Sequence, residues 1–413
     1  MAATEQGVWD LQNVRDKQLQ SEWSYDGQSQ GFVWGWNNTG NLGLNDTVQR
    51  SSPTQVGAVV RWWPFGDNVF QSKTYDSGTG GYDLWAYGNN SSGKLGLNDK
   101  SSWPSYQNTR SSPTQLPGTD WKWVGGFNAA TTYAVKTDGT LWSWGANTYG
   151  LNGLNNQEAP GRRSSPTQIG TDTTWTGGVG KIAGGSSNTA AIKTDGTLWI
   201  WGRNYFGSLG LSQGSPWNVG KSSPHQLPGT NWERISETHG HHLYFTKTDG
   251  TLWTMGYGQS GYNLQPDKTS YSSPKQIPGD WSNIMIVGNS ESYHTVKTDG
   301  TLWGWGGGPM GTLGKNNTTQ YSSPVQIGTD TNWGPTSSTP ANMPGTAQYI
   351  WSGGNEVLAI KTDGTLWTWG RNHYGQLGKN NITWLSSPTQ VGSSTDWVSV
   401  YAGQAISNAL KTL

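Results

Sequence analysis

The sequence predicts an all-β protein: a seven-bladed β-propeller of four-stranded blades, closed by N- and C-terminal strands that share one blade. Three observations predict it. The phrase KTDGTLWSWG at 136–145 recurs almost unchanged from Lys193, Lys247, Lys297 and Lys361. The pattern SSPxQ places prolines at Pro53, Pro113, Pro166, Pro224, Pro274, Pro324 and Pro388, spaced 50 to 64 residues apart, which marks seven units. The chain ends on QAISNALKTL, which follows TAAIKTDGTL of 189–198 as far as Lys411-Thr412 and stops, while GFVWGWNNTGNLGL from Gly31 enters the pattern at its middle.

Each unit justifies four strands. A β-prone run such as NTAAI at 188–192 precedes the phrase, and Asp138-Gly139, like its copies, sits at the tip between two such runs. That pair is the strongest short signal for a two-residue hairpin turn. Within TLWSW, alternation puts Trp142 and Trp144 on one face and Leu141 and Ser143 on the other. A strand apolar on both faces is sandwiched between neighbours. A loop of the form WGxNxxGxLGL follows, then SSPxQ, whose proline cannot donate to a central ladder and so belongs at a strand start or a sheet edge. Seven small sheets that each need cover on two faces are satisfied by radial stacking. Joining the two half-units removes the exposed edge that an open stack would leave.

Composition narrows the function. The chain has 413 residues and no cysteine, so disulfides are excluded; 26 basic residues balance 26 acidic ones. The basic footprint of a nucleic-acid binder is absent. The start MAATEQGVWDLQ lacks a basic and apolar signal region, and no stretch is apolar for long enough to cross a bilayer as a helix. The expectation is no nucleic acid and no membrane insertion. With 27 Trp against 6 Phe, the indoles must carry a repeated packing role or a ligand role.

WGRNHYGQLG at 369–378 resembles the glycine-rich signature of the regulator-of-chromosome-condensation family, and the resemblance runs over about residues 30–413. It departs at TMGYGQSGYNL of 254–264 and GLNGL of 150–154. The resemblance implies a seven-bladed propeller closed through a split blade. It does not carry function, because propellers host exchange factors, inhibitors, lectin-like binders and structural parts.

Residues 1–29 lack the repeat vocabulary and are expected to form an anchoring arm ahead of a propeller at 30–413. Val8, Leu11, Leu19 and Trp23 fall on one helical stripe interrupted by Arg15, with Asp10 placed to cap it. GVWDLQNVRDKQLQSEW, with Trp9 and a second Trp at the end, is similar to a segment of structural proteins of marine tailed bacteriophages. That resemblance implies a virion structural protein, assembled in host cytoplasm, whose arm meets other virion proteins through Val8, Trp9, Leu11, Leu19 and Trp23. The alternative is a cellular regulator or inhibitor that grips a protein partner, in the manner of an exchange factor.

No catalytic constellation stands out. The Asp and Lys of KTDG occur five times with equal claim and read as turn residues. His239, His241 and His242, near Glu237, read as exposed loop imidazoles and not as a metal site. There is no GxSxG and no phosphate loop, since the glycine-rich loops join strand to strand. The expectation is no enzyme, no cofactor and no metal. Recognition remains: Trp103, Tyr106, Trp217 and Trp384 lie in variable connectors outside the template. Aromatic faces amid Asn, Gln and Ser suit a protein contact or a host surface glycan.

Overall fold

The computed structural model describes residues 29–412, apart from 60, 66–67, 73–74, 100–108, 127–130, 157–160, 179, 186, 212–219, 237–240, 259–268, 280, 282–285, 289–291, 336–348 and 404. The expected arm at 1–29 therefore lies outside the described residues except for Ser29.

One unit shows the plan. Strands Ile182–Gly184, Asn188–Ile192, Leu198–Arg203 and Gly220–Gln226 pair antiparallel in chain order. Three more four-stranded sheets repeat it, beginning at Trp232, Val287 and Ile350. An eight-stranded sheet contains two such units joined by the single long strand Arg110–Gly125. That strand pairs with Gly81–Gly88 through its first part and with Thr131–Lys136 through its last. The SSPxQ segment forms the fourth strand, at the sheet edge, where proline costs no ladder bond.

The remaining sheet unites the two ends of the described chain. Its order is Arg50–Val59, Ser29–Gly35, Ile406–Thr412, Trp397–Ala402, so a strand from each end pairs over its whole length, from Ser29 opposite Thr412 to Gly35 opposite Ile406. This seam sheet joins the two half-units of the repeat in one four-stranded sheet. Its strand Trp397–Ala402 packs against Ile350–Ser352 on one side and Arg61–Phe65 on the other.

Repeated residues have repeated causes. Gly202 adopts φ +100° at a bulge in the third strand, and a Cβ there would lie 2.6 Å from the Ser187 carbonyl oxygen. Gly207 in the following loop lies so close to the next sheet that a Cβ would sit 2.6 Å from Ser272 Cα. The same approach joins Gly40 to Ser111, Gly93 to Ser164, Gly150 to Ser222, Gly311 to Ser386 and, across the chain ends, Gly375 to Ser51. Beside it, the N–H of Asn45, Asn98, Asn155, Asn316 and Asn380 donates to the carbonyl of Ser111, Ser164, Ser222, Ser386 and Ser51, each at 2.7 Å. Indoles add a second staple. Trp144 Nε1 donates to the Lys94 carbonyl, Trp201 to Leu151, Trp369 to Thr312 and Trp34 to Gln376, at 2.7–2.9 Å. All four rings are fully buried between sheets. Each buries roughly 150–250 Å² and satisfies its one donor, so these contacts dominate the core.

Candidate functional site

The hairpin-turn end and the loop end of the sheets differ in chemistry. At the turn end, Asp138 Oδ1 accepts from Thr140 N at 2.9 Å and Thr140 Oγ1 at 2.7 Å, and that hydroxyl accepts from Trp142 Nε1 at 2.8 Å. The Thr140 hydroxyl, more than any other neighbour, holds the Asp138 carboxyl below its ordinary pKa. The lysine before the turn is clasped between two indoles. Lys193 Nζ lies 3.8 Å from the Trp199 ring centroid and 4.8 Å from Trp175, and 2.5 Å from Asp172 Oδ2. Lys136 meets Trp121, Trp142 and Asp120 in the same way, and Lys361 meets Trp333, Trp367 and Asp330. Turn geometry accounts for the Asp-Gly, as expected from sequence. It does not account for the lysine, which is held by cation–π attraction that sequence reading missed. With the lysine ammonium, Asp138 Oδ1, the Thr140 hydroxyl and the Trp142 N–H all engaged in structural bonds, the phrase is scaffold.

A cavity of ≈ 440 Å³ also opens at this end, lined by Lys297, Asp299, Trp333, Pro335 and Tyr349 among others. Asp299 there is already bonded to Thr301 in the repeated turn.

The loop end carries two aromatic clusters. In the first, Arg203 lies over Tyr149 at 4.3 Å and over Tyr205 at 4.7 Å. Tyr205 meets His241 edge-on at 4.7 Å and Phe206 at 4.2 Å, and Phe206 meets Tyr257 at 4.6 Å. The row crosses loops of three successive sheets. Tyr149 and Phe206 hold φ +59° and +53°, left-handed backbone that bulky residues seldom adopt. The tight turn into Gly150 and Gly207 imposes it, with Tyr149 38% exposed and Phe206 half-buried. Burial, and then the Arg203 charge, lowers the pKa of His241 below the usual imidazole value.

The second cluster straddles the seam. Trp384 is 41% exposed and meets His373 edge-on at 4.7 Å; Tyr374 lies beside His373 and 6.5 Å from Trp36. In the loop of Trp384, Ile382 is 65% exposed, and in the loop that precedes Ser51, Val48 is 60% exposed. These three are the most exposed large apolar side chains of their loops, and the two loops are joined by the Asn380–Ser51 staple.

Of the sequence-predicted binding residues, Trp384 is described, and it is exposed. Trp103, Tyr106, Trp217 and the arm residues Val8, Trp9, Leu11, Leu19 and Trp23 lie outside the described residues, as do His239 and Glu237. The reading of the histidines as exposed loop imidazoles is corrected. His242 opens the strand His242–Lys247, is fully buried between Tyr244 and Tyr293, and has its pKa pushed down to about 3 by burial, while His241 is half-buried. Their place relative to the strand decides their exposure: His242 is the first residue of a strand buried on both faces, and His241 lies just before it. Among the described residues, no group of three or more His, Asp or Glu is arranged to hold a metal.

Three stretches, residues 30–62, 138–192 and 363–410, match the regulator of chromosome condensation (RCC1) repeat, and a second form of that repeat matches 181–208. The chain thus carries repeats of this type. Among curated proteins it is similar to the ultraviolet-B receptor UVR8 of Arabidopsis thaliana, 27% identical over 250 residues, covering 58% of this chain and 52% of that protein. It is also similar to the probable E3 ubiquitin-protein ligase HERC6 of Homo sapiens, 26% identical over 233 residues, covering 55% of this chain and 22% of that protein. The chain spans about half or less of the length of these relatives. Among solved structures, human WBSCR16 aligns with a TM-score of 0.71 at 19% identity, over 93% of this chain and 99% of its own. Prp20p of Saccharomyces cerevisiae aligns with 0.71 at 16%, over 93% and 92%. At these identities the likeness establishes the fold alone.

Proposed function

We propose that the chain is a non-catalytic, seven-bladed propeller that grips a protein partner with its loop face. Counting the eight-stranded sheet as two units makes seven blades, which the circular run of Gly–Ser contacts, ending with Gly375 on Ser51, supports. The observation that carries the function is the seam cluster, where Val48, Ile382 and Trp384 are exposed together in adjoining loops. Exposed apolar groups concentrated in adjoining loops, amid polar neighbours, mark interaction sites. Two of the three are aliphatic, which favours apolar protein side chains over sugar rings. Prp20p binds Gsp1p and histones, so one protein of similar fold engages protein partners. The balanced charge of this chain favours a neutral partner surface over a histone-like one.

A virion setting is the second reading, and its support is the apolar stripe Val8, Leu11, Leu19 and Trp23 with Trp9 in the leading segment. There the same face would meet a host surface protein while the arm meets other virion proteins.

The test is a double variant, Val48→Asp with Ile382→Asp, in the protein expressed in its native host. The expected result is an unchanged melting temperature with loss of the protein that co-purifies with wild type. Retention of that same protein would sink the assignment of the seam cluster. A truncation starting at Gln30 separates the settings, since only the virion reading expects it to fold and yet fail to enter particles.

A further inference from the structure

A buried carboxyl lies where the two ends of the described chain meet. Glu356 opens the strand Glu356–Ile360 opposite Gly370 and is 1% exposed. Its Oε2 accepts from Asn355 N–H at 3.1 Å. The Gln376 side-chain amide and the Ala405 N–H face the carboxyl, yet Oε1 and Gln376 Nε2 both lack a hydrogen-bond partner. Ser352 Oγ, Arg371 Nε and Asn408 Oδ1, on adjoining strands and loops, are buried without partners as well. Buried polar atoms are nearly always bonded, so a carboxyl oxygen left without a partner beside Gln376 and Arg371, themselves incompletely bonded, is an exceptional place in the fold.

The surroundings belong to the seam. The Gln376 carbonyl accepts from Trp34 Nε1 at 2.7 Å and from Ser407 Oγ at 2.8 Å, one from each end of the chain. Ala405 holds φ +63°, and its carbonyl accepts from Trp36 N–H at 2.9 Å. Gly353 presses on the carboxyl from the other side, where a Cβ would sit 2.6 Å from Glu356 Oε1 and 2.4 Å from the Gly403 carbonyl oxygen. Other sheets place Thr131, Asn188, His242 and Ser292 at this strand-opening position. Asn188 there closes its loop by accepting from Gly185 N–H at 3.0 Å, a role an amide fills without charge.

We propose that Glu356 is a proton-operated lock on the seam: neutral, it lets the sheet Ile350–Gln390 close onto the seam sheet, and ionised, it puts an ill-compensated charge into that contact. Arg371 is the cation facing it, from the loop after Leu366–Gly370. Of the strands packed beside it, Ile350–Ser352 brings no titratable group, Trp397–Ala402 brings Tyr401, and Ile406–Thr412 brings Lys411 at its far end, paired with Asp396. Burial pushes the Glu356 carboxyl up to about 7, with Asn355 N–H, Gln376, Ala405 N–H and Arg371 pulling against it. The closed seam therefore holds a proton that an open seam releases, so opening grows easier from the ordinary glutamate range up to about pH 7 and then levels off.

Hydrogen exchange of the full chain, corrected for the intrinsic rate, tests this. Between pH 6 and pH 8, opening of amides in Ser29–Gly35 and Ile406–Thr412 should rise about tenfold. Opening of Asn188–Ile192, on the far side, should not change. Glu356→Gln should abolish the rise. A rise that persists in the variant, one of equal size in every sheet, or a flat wild-type profile would overturn the lock. Should the variant not fold, wild type labelled with ¹³C at glutamate carboxyls decides: a resonance titrating near 7 supports the lock, and titration of every glutamate near 4.5 overturns it.

Discussion

The turn end and the loop end of each sheet are built from the same chain segments, yet one is monotonous and the other diverse. At the turn end, Lys136, Lys193, Lys247, Lys297 and Lys361 each sit against a pair of indoles, and the intervening Asp-Gly-Thr is bonded in the same way each time. At the loop end, the corresponding positions read Thr148-Tyr149, Tyr205-Phe206, Pro309-Met310 and His373-Tyr374. The difference teaches where constraint lies. A residue that closes a hairpin and clamps a neighbouring strand has one acceptable chemistry, whereas a loop tip pinned by Asn and Gly can present many side chains.

The comparison breaks most severely if the seam is removed. Deleting the chain from Val398 onward takes away Ile406–Thr412 and leaves Ser29–Gly35 with one neighbour and an open edge, and aggregation by light scattering is the expected outcome. A monomer with wild-type melting temperature would show that closure contributes nothing. Next in size are the inter-sheet indoles. Trp369→Ala removes a fully buried ring and its bond to the Thr312 carbonyl, and should cost about 3–5 kcal/mol in urea unfolding.

Acid sharpens the contrast between buried and exposed imidazoles. His242 and His294 are fully buried, and burial pushes both down to about 3. The unfolded chain binds protons there that the folded chain does not, so stability should fall as pH drops below about 6.5, by about 1.4 kcal/mol per pH unit for each histidine. His294→Leu should lessen the loss of stability between pH 6 and pH 5 by about 1.4 kcal/mol in denaturant titrations, Glu356 acting with the opposite sign equally in both proteins; an unchanged slope would mean that the ring is hydrated. Lys193→Met keeps the aliphatic stem between Trp175 and Trp199 but deletes the charge, and should cost about 1 kcal/mol. The smallest effect belongs to the loop end. Trp384→Ala should change unfolding free energy by no more than about 0.5 kcal/mol, and a cost as large as that of Trp369→Ala would make Trp384 part of the core.

The repeated architecture was legible because its signals are local. Asp138-Gly139 announces a turn within two residues, Trp142 and Trp144 announce a strand within three, and the halved units at either end announce a shared sheet by matching text. The candidate surface was only partly legible. Trp384 stood out as an aromatic outside the template, but Tyr149, Arg203, Phe206 and Tyr257 occupy template positions and gained meaning only once three loops lay side by side. The histidines misled for a related reason, since HGHH reads as a loop while His242 opens a strand that neighbouring sheets bury on both faces and His241 stays half-covered just before it.

By itself the sequence determined the unit: four strands, the Asp-Gly turn, the edge place of the SSPxQ proline and the pairing of the chain ends, because these depend on backbone conformations, alternation and matching text within a few residues. Only the tertiary structure decided what the sheets do to one another. The stapling of Asn380 to Ser51, the clasping of lysines between indoles and the burial of Glu356 against Ala405 and Gln376 join residues tens to hundreds of positions apart. Such contacts depend on how sheets stack and on which groups lose water when they do, and a side chain's charge and exposure follow from that desolvation and not from its neighbours in the chain.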